Sequence, residues 1–121
     1  MASKEEKLKD PLDDLKDIQG VTGAAVVRRD GLLIVSNLPQ DIDADQLAAM
    51  TASTVGSGET ASQTLSIGEV QQVTVESEDG KLISTGAGDE GILTILTDPD
   101  VNMGLVLVEM KKSVKKIKRV L

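Results

Sequence analysis

Residues 86–91, Gly-Ala-Gly-Asp-Glu-Gly, carry the G-x-G-x-x-G spacing with which glycines let a backbone approach a pyrophosphate. That chemistry needs a strand before the glycines and a helix after them, so that helix-terminal N–H groups face the phosphates. Here the strand-like run GILTILT follows, and the glycines read instead as a turn between two strands. Asp41, Asp43 and Asp45 begin like a calcium loop, but Gln46 replaces the glycine needed at its sixth position and Ala52 the glutamate needed at its twelfth. Helix capping accounts for these aspartates better. Arg28 and Arg29 are placed to act as an arginine finger on a GTPase, or simply to stay solvated at a hairpin tip. No G-x-x-x-x-G-K-[ST] run is present, so the chain is not itself a P-loop nucleotidase.

The missing residue types narrow the chemistry further. The 121 residues include no His, Cys, Phe, Tyr or Trp. A general base would have to be a carboxylate or Lys, and a zinc site would need carboxylates alone. No convergent set of base, nucleophile and oxyanion donors can be assembled, so the chain reads as a non-enzyme with no catalytic residues, no cofactor and no metal. The absence of cysteine fits a reducing, cytoplasmic setting. No apolar run is long enough to span a bilayer or follows the early lysines as a secretory signal would.

The formal charge of −7 and the lack of an aromatic stacking platform argue against nucleic acid as a partner. Charge is nevertheless uneven. Lys111, Lys112, Lys115, Lys116, Lys118 and Arg119 are six of the thirteen basic residues, leaving seven against twenty acidic ones in the rest of the chain. Cations favour the C-terminal end of a helix, which is reason enough for a solvated basic tail, with an anionic membrane or acidic partner as the alternative.

These residues must be positioned by eight elements. Asp10-Pro11 reads as a helix start, with the residues before it (1–7) as a flexible extension, and Leu8, Leu12, Leu15 and Ile18 share one face. Asp30-Gly31 between the runs Ala24 to Val27 and Leu32 to Val35 predicts a hairpin whose continuous apolar strands are covered on both faces. Asp43 to Gln46 opens a second helix over about 44–66, unless Gly56 and Gly58 break it near Val55 to Gly58. Leu47, Met50, Thr54, Ala61 and Leu65 fall within one arc of it, and Ala48, Ala52, Val55, Glu59 and Ser62 form a nearly all-small stripe beside that arc. Three strands follow: a polar, edge-like one over 69–77, a second after Asp79-Gly80, and a central apolar one in GILTILT. Asp98-Pro99-Asp100 opens a last helix in which Met103, Leu107, Met110, Val114, Ile117 and Leu121 keep helical spacing, so the basic residues 111–121 form its end.

The order α-β-β-α-β-β-β-α, with GVTGAAVVRRDGLLIVSNLP at 20–39, LAAMTAS at 47–53, GETAS at 58–62 and VTVESEDGKL at 73–82, resembles the roadblock/LC7 family over almost the whole chain. It is most similar to the short, single-domain prokaryotic members. The resemblance implies an α+β, three-layer, profilin-like fold: one domain over 1–121, a five-stranded antiparallel sheet, the first and last helices on one face and the middle helix on the other. It also implies a homodimer joined through the middle helix and the neighbouring edge strand. Carried onto this sequence, the junction takes in Ala48, Ala52, Val55, Gly56 and Glu59 on the helix and Gln72 and Thr74 on the strand. Family members regulate or scaffold small Ras-like GTPases, and some serve as light chains of motor complexes. The resemblance thus implies a non-catalytic regulator of such a GTPase or, alternatively, a scaffold dimer without effect on nucleotide turnover.

Overall fold

The computed structural model describes residues 2–121. Met1, the first residue of the expected N-terminal extension, lies outside the described residues. Helix α1 spans Lys4–Lys16, starting six residues before the Asp10-Pro11 signal. Its cap is Ser3, whose Oγ accepts from the Glu6 N–H at 3.1 Å. Ser3 and Glu6 have the spacing of a capping box, a signal the later Asp-Pro pair masked. Pro11 therefore sits inside the helix. It removes one intrahelical hydrogen bond, but Leu8, Leu12 and Leu15 bury themselves along the same face and outweigh that loss.

Strands β1 (Val21–Arg28) and β2 (Leu33–Asn37) form the first hairpin, with Gly31 at φ +96 in the turn. Leu32 belongs to the turn rather than to the strand and is exposed. Helix α2 runs unbroken over Ala44–Thr64, so neither Gly56 nor Gly58 divides it. Gly58 serves close packing: a Cβ there would stand 3.1 Å from Val73 Cγ2. Strand β3 is shorter than expected, Val73–Ser77, and the polar residues before it stay outside the sheet. It pairs with β4 (Gly80–Ala87) from Ser77↔Gly80 onward, so Glu78 and Asp79 make the turn and Gly80 already belongs to the strand. Strand β5 covers Gly91–Thr97. Helix α3, Met103–Val120, is capped by Asn102, whose Oδ1 accepts from the Leu105 N–H at 3.1 Å, rather than by the earlier Asp-Pro-Asp. The basic tail is helical, as the periodicity predicts.

The sheet is antiparallel throughout, in the order β2-β1-β5-β4-β3. Its centre is the β1–β5 pair, both strands nearly all buried, which is what their continuous apolar runs require. Alternate residues then face two cores. On one side Val26, Ile83, Leu93 and Ile95 meet Leu8, Leu12 and Leu15 of α1 and Val106, Met110 and Ile117 of α3. On the other, a smaller core of Ala25, Val27 and Ala48, with Leu33 and Leu47 beside it, seats α2. Among the described residues no helix is long and apolar enough to cross a membrane.

Candidate interaction surface

Part of the floor beneath α2 is made of short side chains, beside Val27 and Leu33. Ala25 of β1, Thr94 of β5 and Ser84 of β4 lie abreast in register, and the Ser84 and Thr94 hydroxyls share a buried hydrogen bond of 2.8 Å. A floor that low lets a helix of small residues come close, and α2 turns Ala48, Thr51 and Val55 inward. The small-residue stripe thus faces the chain's own sheet, and the arc of larger residues is rotated outward. Met50 is 65% exposed and Leu65 66%. Sequence periodicity alone groups the two arcs correctly but cannot tell which one finds the sheet.

Of the positions assigned to a junction between copies, Ala48 and Val55 are accordingly inside this chain's core, 0% and 3% exposed. Ala52, Gly56 and Glu59 are half-exposed on the flanks of α2. Thr74 is within β3, opposite Ile83, whereas Gln72 lies in the irregular segment before that strand. The contact of Gly58 with Val73 sets α2 beside β3, which brings the helix and the free edge of the sheet to one side of the molecule.

The outward ridge of α2 runs Gln46, Met50, Ser53, Ser57, Ala61 and Thr64, and all six are exposed. None is charged. Only Asp45 and Glu59 carry charge anywhere in this helix of 21 residues, in a chain of which 27% is charged. A solvated helix face normally holds Lys and Glu, and depletion of charge marks the interior of an interface. The neighbouring edge strand is lightly guarded: β3 contains neither Pro nor Lys and a single charge, Glu76, and Val75 on it is 41% exposed. The edge position of this strand follows from its polar sequence, whereas nothing local marks Met50 or Val75 as outward.

Past α2 the chain leaves through Ser66 at φ +55, with Ile67 N–H bonded to Ser62 O at 3.1 Å. This closes the helix as a Schellman turn on a residue other than glycine, and it holds Leu65 and Ile67 outward on ordered backbone.

One end of the surface is fixed by Arg29. Its Nη1 donates to Glu59 Oε2 at 2.7 Å, and its Nη2 donates to the Gly88 carbonyl at 3.2 Å. A single guanidinium therefore ties the first hairpin to α2 and to the β4–β5 turn. Gly86 makes room for it, because a Cβ there would stand 2.8 Å from Arg29 Nη2. Gly88 has φ +83, and a Cβ on Gly91 would stand 3.0 Å from the Ala87 carbonyl. The glycine run is thus a turn built around an arginine, followed by strand β5. Arg28 pairs with Asp30 of its own turn at 2.7 Å. Asp43 caps α2, accepting from the Asp45 and Gln46 N–H groups at 3.0 and 3.1 Å. Among the described residues no three His, Cys, Asp or Glu side chains are grouped to hold a metal ion. Replacing Arg29 with Ala should cost about 1 kcal/mol, since the Glu59 pair is only partly buried. Urea unfolding followed by circular dichroism checks the magnitude. Faster amide exchange in the last turns of α2 than in α1 checks the assigned contact.

A five-stranded antiparallel sheet with two helices on one face and one on the other defines a three-layer α+β fold, here with one uncharged helix ridge beside an open strand edge. The chain belongs to the Roadblock/LC7 domain family, whose model matches residues 7–97. An uncharacterized protein of Methanocaldococcus jannaschii is 40% identical over 105 residues, covering 87% of this chain and 91% of the relative. Among solved structures, a Roadblock/LC7 domain from Streptomyces avermitilis superposes with a TM-score of 0.85 at 24% identity, over 90% of this chain and 92% of that one. Myxococcus xanthus MglB gives 0.87 at 24% identity, over 94% of each chain.

Proposed function

We propose that this chain is a homodimeric, non-catalytic binding module of the cytoplasm that regulates a small Ras-like GTPase. The observation that carries the association half of this reading is the uncharged outer ridge of α2 beside the lightly guarded β3 edge. Two copies that lay these ridges together would approach closely at Ser53, Gly56 and Ser57, and pairing of their β3 edges would continue one sheet into the next. Ala52, Glu59 and Thr74 would stand at the margin of that junction, and Ala48 and Val55 would support it from beneath. The GTPase half rests on family membership. A domain of this kind acts by binding and reordering switch loops, so that the GTPase's own groups are positioned, and needs no active site of its own.

The test is solution mass by light scattering with refractive-index detection, followed by mixing with small GTPases loaded with GDP or a non-hydrolysable GTP analogue. A dimer that binds one nucleotide state and changes the hydrolysis rate is expected. A dimer that binds without changing turnover would support the scaffold instead, and a monomer indifferent to both nucleotide states would remove the reading altogether. Ser57→Arg, at the middle of the exposed ridge, should leave the fold intact and halve the solution mass, and Ala52→Arg on its flank should act in the same direction.

A further inference from the structure

On the face of the sheet opposite α2, helices α1 and α3 lie side by side, with Lys116 Nζ 3.8 Å from Asp14 Oδ2. Each turns an apolar stripe into the core, and the opposite ridges carry contrasting charge. The outward line of α1 and its C-cap holds Glu6, Asp10, Asp13 and Asp17, all exposed and all acidic, with Asp13 accepting from Asn37 Nδ2 at 2.7 Å. The outward positions of α3 are Leu105, Val108, Lys112, Lys115 and Arg119, likewise exposed: about one turn of aliphatic side chain, then only cations. Complementing the helix dipole explains cations in the last turn alone. It does not explain Lys112 and Lys115 in line with two exposed aliphatic residues. Lys112 pairs with Glu109 of its own helix at 3.2 Å, but among the described residues neither Lys115 nor Arg119 lies within ion-pair distance of a carboxylate.

We infer that this face is a second self-association surface, on which the acidic ridge of one copy meets the basic ridge of another. The arrangement is self-complementary. A two-fold axis between two such faces sets α1 against α3 twice, which satisfies the isologous rule that each contact occurs in both directions. An anionic bilayer or a nucleic acid fits less well, because either would meet the acidic ridge of α1 together with the cations of α3. A second copy presents both stripes at matching separation. Since the sheet lies between this face and α2, the association proceeds whether or not α2 pairs copies: it turns dimers into tetramers if α2 does so, and monomers into dimers if it does not.

Exposed ion pairs are individually weak and screened by salt, so the step should be strongly dependent on ionic strength. Its direction is diagnostic, because a formal charge of −7 on every copy opposes association at low salt unless matched stripes overcome it. Light scattering is therefore compared at about 0.01 M and about 1 M salt, where the screening length falls from roughly 30 to 3 Å. The mass of the wild type should double at the lower salt. Lys112→Glu with Lys115→Glu, or Asp10→Lys with Asp17→Lys, should each abolish the doubling, and the chain carrying all four changes should regain it. A wild-type mass indifferent to salt would overturn the proposal, as would doubling that survives either reversed pair. So would a folded four-change chain, verified by circular dichroism, that fails to double. Retention of the wild type on phosphatidylserine vesicles, lost with Lys112→Glu and Lys115→Glu, while the mass stays fixed would assign the ridge to lipid instead. The α2 reading is read separately, from the mass at high salt.

Discussion

Val55→Asp should leave little folded protein at room temperature. Val55 is 3% exposed, on the inward side of α2 that faces the sheet, where the nearby Ser84 and Thr94 hydroxyls of the sheet already satisfy each other. A carboxylate there gains no cation. Leaving a buried charge unpaired costs about 3–5 kcal/mol, and lost valine packing adds to it. That approaches the lower end of the roughly 5–15 kcal/mol that holds a small domain together. Because the chain has no aromatic residue, the measurement is urea unfolding by far-ultraviolet circular dichroism rather than intrinsic fluorescence. A midpoint within about 0.5 kcal/mol of the wild type would mean that α2 does not seat as described. The contrast with Ser57→Arg matters: one substitution breaks the domain and the other is expected to break only its association.

Leu12→Ala should be nearly as damaging, at about 2–5 kcal/mol. Leu12 is 0% exposed and lies in the large core with Val26, Leu93, Ile95 and Met110. α1 and α3 close that core together, and in a close-packed interior the lost isopropyl group leaves a cavity that its neighbours fill only in part. The same unfolding experiment reads it. A much smaller loss would show α1 to be a loosely attached arm.

How far the sequence anticipated this molecule depends on the range of the forces involved. Hairpins marked by Asp30-Gly31 and Asp79-Gly80, the buried β5 run and the helical spacing of α3 are set by neighbouring residues, and all appear in the structure. The start of α1 was legible too, in Ser3 and Glu6, but a proline eight positions along competed with it and long-range burial of three leucines decided the matter. The rotation of α2 was not legible. Whether Met50 or Ala48 turns inward depends on the sheet opposite, where Ala25, Val27 and Leu33 come from two other elements of the chain. Arg29 illustrates the same limit: its partners Glu59 and Gly88 are 30 and 59 residues away, so sequence inspection could offer only a solvated cation or a catalytic finger.

The Arg29 contacts also restrict how the molecule can yield. One planar group grips a carboxylate on α2 and a carbonyl in the β4–β5 turn, so α2 cannot roll on its low floor without dragging that turn or surrendering a charge-assisted bond. A displacement of α2 at its outer ridge therefore strains, through Arg29, a corner of the sheet that a neighbour bound there would not touch.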